Sequence, residues 1–202
     1  MPKSSRRLVR PAEALPDYGN VRIVDLTIVI CWVLFWAYWL IAARSSKAGQ
    51  SPSGRFAGSR VAILVVVVYL ARALGFRSHP VQNDPVLTGV GMALFFLGLA
   101  LAIWARIYIG RNWGMPMTRK EEPELVTTGP YRRVRHPIYT GIILAMLGTA
   151  LATTLFGLIA VAILAAYFIY SATREESYLA GQFPDTYPAY KRSTKMLVPF
   201  VF

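Results

Sequence analysis

The chain has 202 residues, the length of one domain or two small ones; 55% of them are hydrophobic and only 16% are charged. Soluble domains carry about 25% charged residues, so this composition, with a mean hydropathy of +0.43, excludes an ordinary soluble enzyme, a disordered protein and a disulfide scaffold. The net charge of +12 is carried between long apolar runs, which indicates basic loops facing anionic lipid head groups rather than nucleic acid. A single cysteine, Cys31, and two histidines, His79 and His136, make a metal site improbable.

Five apolar runs are the predicted membrane spans, since a helix needs about 20 apolar residues to cross a bilayer. They cover about 23–43, 61–76, 86–105, 138–152 and 155–173, and the last two form a tight hairpin. The first run is longer than the apolar part of a signal peptide, so we expect an uncleaved span. The fold class is therefore an all-α integral membrane protein, with an N-terminal segment, 1–22, and a single membrane-embedded domain, 23–202.

The basic residues predict the orientation of these spans. With five spans, the loop after the first span, the connector 106–137 and the tail 174–202 share one side of the membrane. That side holds 15 of the Lys and Arg residues, and the other side holds 7. Because basic residues accumulate in cytoplasmic loops, we expect the connector and the tail to face the cytoplasm and the N-terminus to lie outside.

The end of the connector, Arg135-His136-Pro137, is the first candidate site. Proline is favoured at the first position of a helix, so Pro137 opens the fourth span and His136 caps it. Taken alone, the motif is more often a simple marker of the membrane interface. The functional interpretation is an anion site built from free N–H groups and two cationic side chains. Gly141, one turn inside, would let a ligand or a helix approach closely.

The second candidate is Glu175-Glu176, which sits where the predicted fifth span leaves the membrane. Carboxylates are disfavoured at a helix C-terminus, so a pair of them indicates either a solvated helix end or a site for a cation or two hydroxyls. Downstream, Tyr178, Phe183, Tyr187 and Tyr190 allow an aromatic stripe. Such a stripe either anchors the chain at the interface or stacks on an adenine ring.

Two separated halves of one pattern carry a resemblance to a known family. The first half reads Leu125-Val126-Thr127-Thr128-Gly129-Pro130-Tyr131, then Arg135-His136-Pro137-Ile138-Tyr139-Thr140-Gly141. The second half, beyond the hairpin, has Glu175-Glu176, Leu179, Phe183, Tyr187, Tyr190-Lys191 and Pro199-Phe200. From about residue 86 to residue 202 the chain thereby resembles the isoprenylcysteine carboxyl methyltransferase family of integral membrane enzymes.

The resemblance implies a helical membrane core without a Rossmann sheet and S-adenosylmethionine as the cofactor, bound at the cytoplasmic face. The implied cofactor-binding residues are Val126, Gly129, Pro130, Tyr131, Arg135, His136, Pro137, Tyr139, Gly141, Glu175, Glu176, Tyr187 and Tyr190. His136, Tyr139 and the 129–131 backbone would hold the amino-acid end, and Glu175 or Glu176 the ribose hydroxyls or the ammonium.

The acceptor implied by the resemblance is a lipophilic small molecule or a lipidated one that enters from the bilayer and presents a carboxylate. We expect Arg106 and Arg174 to orient that carboxylate as catalytic residues, since each follows a predicted span. A chain of this length looks like a prokaryotic inner-membrane protein, for which a prenylated protein is a doubtful natural substrate. Pro184 and Pro188 depart from the family pattern and predict a break in the terminal helix.

Three other functions remain open from the sequence. Methylation of a phospholipid amine is the closest, and it needs a carboxylate near the acceptor to take a proton. An NADPH-dependent membrane C=C reductase shares an Arg-His-Pro element but needs more basic contacts for the 2′-phosphate, and the Glu175-Glu176 pair favours the methyltransferase. A structural or transport protein would carry ionisable residues within its spans, where only Asp25 and Arg72 lie, both near span ends.

Overall fold

The structure, a computed structural model, describes residues 18–43, 49–50, 84–113, 119–120 and 124–199. Its α-helices there are α1 (Tyr18–Ala43), α2 (Pro85–Ile109), α3 (Pro137–Ala152), α4 (Gly157–Gln182) and α5 (Tyr187–Ser193). Short 3₁₀ helices cover Gly110–Asn112 and Gly129–Arg132, and Gly49–Gln50 (β1) pairs antiparallel with Arg119–Lys120 (β2). The predicted second span, 61–76, lies outside the described residues.

The long helices have the length and composition of membrane spans. Ile23–Ala42 within α1, the whole of α2 and the whole of α4 are each long and apolar enough to cross a bilayer, and α3 is a shorter apolar helix of 16 residues. Large apolar side chains such as Leu40, Val86 and Ile163 remain exposed on their outer faces. Lipid rather than water accommodates such faces. The predicted all-helical membrane fold is confirmed.

Glycines bring α2 and α3 almost into backbone contact. Gly91 and Gly98 of α2 face Gly148 and Gly141 of α3, and a Cβ added at Gly98 would lie 2.6 Å from the carbonyl oxygen of Gly141. Small residues allow such close packing, which replaces the missing hydrophobic force between helices in lipid. Gly141 therefore serves helix packing against Ala102 and Gly98, and not the approach of a ligand.

An aromatic column attaches α1 to this pair of helices. Trp32 meets Phe95 of α2 edge-on at 5.9 Å between ring centroids, and Phe35 stacks on Trp39 at 4.9 Å. Trp39 in turn meets Trp113, just beyond α2, at 5.8 Å. Aromatic pairs at these distances add to the energy of burial. The column connects α1 to the segment where the connector begins.

The fifth predicted span is longer as a helix than its hydropathy indicates. We expected it to end near residue 173, but α4 continues to Gln182 because no helix-breaking residue occurs before Pro184. Glu175 and Glu176 thus lie inside the helix, and their expected place at a helix C-terminus is wrong. The predicted break at the prolines is confirmed, since α5 begins at Tyr187 with Pro188 in its first turn.

The connector and the tail meet at one end of the helices. Val134 and Lys195 form an isolated parallel bridge, and the Arg135 N–H donates to the Lys195 carbonyl at 2.8 Å. The Thr140 hydroxyl, in the first turn of α3, donates to the Leu197 carbonyl at 2.7 Å. The two polar segments that we singled out in the sequence therefore lie side by side.

Candidate functional site

A cavity of about 160 Å³ lies where the connector, the tail and the ends of α2, α3 and α4 come together. Its lining combines apolar and aromatic side chains with a few polar groups, as in most ligand sites. The lining residues are Ile109, Asn112, Trp113, Glu124, Leu125, Val126, Tyr131, Arg135, His136, Ile138, Tyr139, Glu175, Tyr178, Leu179, Tyr187 and Tyr190. Eight of the thirteen residues predicted to bind the cofactor are among them.

His136 is fixed by the start of α3. It is the N-cap residue, with Pro137 in the first turn as predicted, but its side chain forms no capping bond. Instead the buried imidazole stacks on Tyr139 at 5.4 Å, and Tyr139 stacks on Phe168 of α4 at 4.4 Å. This three-ring stack holds the imidazole at the cavity wall.

Glu175 is one of two carboxylates that the described residues place in the cavity wall, the other being Glu124. Glu175 Oε1 accepts a 2.6 Å hydrogen bond from the Tyr139 hydroxyl, and its Oε2 lies 3.6 Å from His136 Nδ1. The side chain is 24% exposed, so it is open to a ligand in part. A carboxylate with a hydroxyl donor behind it presents negative charge to the cavity, which suits a cationic or hydroxyl-bearing ligand.

The Glu176 side chain points away from the cavity. It is 3% exposed and is not among the described residues that line the cavity. Arg135 Nε donates to its Oε1 at 2.6 Å and Lys191 Nζ to its Oε2 at 2.8 Å, while His136 Nε2 is 3.5 Å from Oε1. Arg135 and His136 were expected to bind an anion from outside. Instead they contact the protein's own carboxylates, Glu175 and Glu176, so the sequence interpretation is corrected.

The segment Gly129-Pro130-Tyr131 lies mostly outside the cavity lining and packs against the residues that form it. Gly129 has a positive φ of 59°, and a Cβ there would fall 2.5 Å from the Tyr108 ring, so only glycine fits. Pro130 is buried without lining the cavity, whereas Tyr131 is in the wall. The Tyr131 hydroxyl donates to the Ala105 carbonyl at 3.3 Å, and the Tyr190 hydroxyl donates to the Tyr131 carbonyl at 2.8 Å.

Tyr131, Tyr187 and Tyr190 are buried tyrosines whose hydroxyls stay protonated. Burial raises the pKa of each well above its ordinary value. The Tyr187 hydroxyl is fully buried and has no hydrogen-bond partner within the described part of the chain. Because Tyr187 also lines the cavity, this unpaired hydroxyl is a candidate hydrogen-bond donor to a ligand.

The two arginines predicted to be catalytic are not brought to the cavity. Arg106 is 3% exposed, donates to the carbonyls of Gly110 and Ala42 at 2.8 and 2.5 Å, and lies over the Trp113 ring at 4.6 Å. Arg106 thus satisfies carbonyl groups at the C-terminal ends of α2 and α1. Arg174 is exposed on α4 and does not line the cavity in the described part of the chain. Pro137 is also buried away from the lining.

Asn112, Trp113 and Glu124 line the cavity and were missed from the sequence. Asn112 Nδ2 donates to Glu124 Oε2 at 2.7 Å, and Asn112 Oδ1 is buried with no partner among the described residues. The available signal was the polar run Gly110-Arg111-Asn112, which begins a few residues after the predicted third span and is followed by Trp113.

The polar and aromatic groups of the cavity match the chemical groups of the methyl donor that the resemblance implies. S-adenosylmethionine carries a sulfonium and an ammonium cation, two ribose hydroxyls and a flat adenine. Glu175 supplies a carboxylate, Tyr187 and Asn112 supply unpaired buried polar atoms, and Trp113 and Tyr178 supply aromatic side chains in the wall. Aromatic faces attract cations and stack on bases.

Comparison with known proteins identifies the family. A sequence model described as phospholipid methyltransferase matches residues 86–186. The chain is 29% identical to the nickel-cobalt-cadmium resistance protein NccN of Alcaligenes xylosoxydans xylosoxydans, over 79% of this chain and 74% of that one. It is 32% identical to the protein-S-isoprenylcysteine O-methyltransferase of Schizosaccharomyces pombe, over 52% of this chain and 46% of that one.

The same fold occurs in a solved structure, that of the eukaryotic intramembrane Ras methyltransferase ICMT (isoprenylcysteine carboxyl methyltransferase). The TM-score is 0.50 at 24% identity, and the match covers 75% of this chain and 55% of that one. The predicted resemblance is confirmed by these relatives. The chain belongs to the phospholipid methyltransferase family of membrane enzymes.

Proposed function

We propose that this protein transfers a methyl group from S-adenosylmethionine to a lipophilic acceptor that presents a carboxylate. The observation that carries the proposal is the cavity between connector and tail, where the partly exposed Glu175 carboxylate shares the wall with Glu124 and with aromatic and aliphatic side chains. Family membership supports methyl transfer, and the cavity supports a cationic, nucleoside-containing donor.

The residues of the cavity divide the work of holding the donor. Glu175, backed by the Tyr139 hydroxyl at 2.6 Å, neutralises a positive group of the donor or binds the ribose hydroxyls. His136 and Tyr139 present their stacked rings beside this carboxylate. The aromatic residues Trp113, Tyr178 and Tyr187 surround the flat and apolar parts.

When bound, the donor would supply an electrophilic methyl group on its sulfonium: the acceptor oxygen would attack that methyl carbon in line, and the C–S bond would break to release the neutral thioether S-adenosylhomocysteine. A carboxylate acceptor is ionised at neutral pH, since its pKa is about 4, and needs no general base. The protein has to orient the two partners and exclude water, and such positioning supplies roughly 7–11 kcal/mol. The aromatic lining serves both requirements.

The acceptor reaches the cavity from the bilayer, and the cavity faces the cytoplasm. The exposed apolar faces of α1, α2 and α4 support a lipid surrounding for the helices next to the cavity. The larger number of basic residues on the connector and tail side supports the cytoplasmic orientation.

Calorimetry on the purified protein in detergent tests the donor. S-adenosylhomocysteine should bind and NADPH should not. Glu175→Gln should weaken binding about ten- to a hundredfold, since a hydrogen bond to a charged group contributes about 1.5–3 kcal/mol. The matched control is Asp185→Asn, an exposed acidic residue just beyond α4 that should bind like the unaltered protein. Binding of NADPH alone would contradict the proposal.

Methylation of a phospholipid amine is the second candidate, favoured by the same Glu175 carboxylate. An amine acceptor is protonated at neutral pH and must lose a proton before it attacks. Glu175 lies in the cavity wall, so its carboxylate would receive that proton. Labelled S-adenosylmethionine with a fatty acid or with phosphatidylethanolamine separates the two reactions. A carboxylate acceptor gives a rate independent of pH from 6 to 9, whereas an amine acceptor gives a rate that rises with pH.

A further inference from the structure

Consecutive glutamates on α4 serve two different purposes. Successive residues of a helix point about 100° apart, so Glu175 and Glu176 point in different directions, although each lies beside one nitrogen of His136, at 3.6 and 3.5 Å. Glu175 lines the cavity, and Glu176 lies behind it at 3% exposure. The contact with the cofactor that we expected of either residue thus belongs to Glu175, and Glu176 needs another explanation.

The Glu176 carboxylate joins three segments that are far apart in the sequence. It accepts hydrogen bonds from Arg135 of the connector at 2.6 Å and from Lys191 of α5 at 2.8 Å, while it is itself part of α4. A carboxylate buried to this extent is stable only when its charge is compensated. The two cations provide that compensation, and in doing so they tie the connector and the tail to α4.

Arg135 also connects the connector directly to α5. Its Nη1 donates to the Thr194 carbonyl at 2.6 Å and to the Lys191 carbonyl at 3.2 Å. These carbonyls lie at the C-terminal end of α5, where a helix leaves its last carbonyls without internal partners. A helix of seven residues has no stability of its own, so its place depends on such bonds.

The position of α5 matters because it carries one wall of the cavity. Tyr187 and Tyr190 are buried there, with their rings 6.1 Å apart in an edge-on arrangement. We infer that Glu176 is a positioning residue, which through Arg135 and Lys191 holds α5 where Tyr187 and Tyr190 enclose the methyl donor. The inference rests on the proposed function for the identity of that donor.

Lys191→Met is the main test, because Lys191 is 53% exposed and its loss leaves the Arg135–Glu176 pair in place. Hydrogen exchange of the amides of α5, measured without ligand, should become about three- to fivefold faster, the effect of a surface-accessible ion pair. Affinity for S-adenosylhomocysteine should fall by a similar factor, with the melting temperature unchanged. Lys191→Arg should restore both.

Arg192→Met is the matched control, because Arg192 is the neighbouring residue and is exposed, and the substitution removes the same charge as Lys191→Met. It should change neither measurement. Glu176→Gln should give a larger change of the same kind, provided that its melting temperature shows a folded protein. Unchanged exchange in Lys191→Met, or faster exchange with unchanged affinity, would overturn the positioning role.

The two proposals fail separately in this design. If the unaltered protein binds neither S-adenosylhomocysteine nor S-adenosylmethionine, the proposed function is wrong. The exchange measurement uses no ligand, so it still decides whether Glu176 and Lys191 hold α5 in place.

Discussion

At the scale of single residues, the Tyr139 hydroxyl is the clearest support of the Glu175 carboxylate, to which it donates a hydrogen bond at 2.6 Å. Tyr139→Phe keeps the ring stack with His136 and Phe168 and removes only the donor. We expect affinity for S-adenosylhomocysteine to fall about three- to tenfold, in keeping with one hydrogen bond of about 1 kcal/mol. Calorimetry measures this change.

The control for that change is Tyr170→Phe on α4, where the tyrosine is exposed. It should leave the affinity as it is. If Tyr139→Phe binds the ligand normally, Glu175 does not depend on this donor and the described geometry is not the one that binds.

Sequence reasoning found much of the site and misjudged part of it for a physical reason. His136, Tyr139, Glu175, Tyr187 and Tyr190 were predicted and do line the cavity. The partners of Glu176 were not predicted, because Arg135, Glu176 and Lys191 come together only after α5 docks on the connector. Hydropathy and spacing describe segments, whereas such pairings depend on how the segments pack.

At the scale of helices, the contact between α2 and α3 gives a sharp test. Gly98→Ala places a Cβ against the backbone of Ala145 and Gly141. Overpacking of this kind costs about 1–3 kcal/mol, so we expect the melting temperature to fall by at least about 2 °C. The measurement is thermal unfolding in detergent without ligand.

Gly89→Ala is the matched control on the same helix, because a Cβ at Gly89 meets nothing within 4 Å. Alanine is the better helix former by about 1 kcal/mol, so the melting temperature should stay the same or rise. Equal losses in both variants would mean that α2 and α3 do not pack through these glycines.

The helix ends in the structure can be compared with the span ends predicted from hydropathy. The predicted spans 86–105 and 138–152 agree with α2 and α3, where the apolar run and the helix end together or nearly so. For α4 they differ by nine residues, 173 against 182, because the run of apolar residues ends at Arg174 while the residues that follow still favour a helix. Hydropathy thus indicates where a helix leaves the membrane, and proline indicates where it stops.

At the scale of the whole molecule, orientation decides which compartment supplies the methyl donor. The connector and the tail lie together, as the bridge between Val134 and Lys195 shows. The turn between α3 and α4 lies at the other end of a helix of 16 residues, about 24 Å long at 1.5 Å per residue. That length is short of a hydrocarbon core of about 30 Å, so the turn reaches the far interface where the bilayer thins around the short helix.

Cysteine labelling in intact cells and in opened membranes tests this orientation. In a Cys31→Ser background, Lys120→Cys and Lys195→Cys should react only when the cytoplasmic side is accessible, and Leu155→Cys, in the turn after α3, should react from the outside. The physical reason is the excess of basic residues, 15 against 7, on the connector and tail side. Reaction of positions 120 and 195 from outside would reverse the orientation and remove the cytoplasmic donor from the proposal. Reaction of positions 155 and 195 from one side would show that the hairpin of α3 and α4 does not cross the membrane, while the cavity between connector and tail would remain.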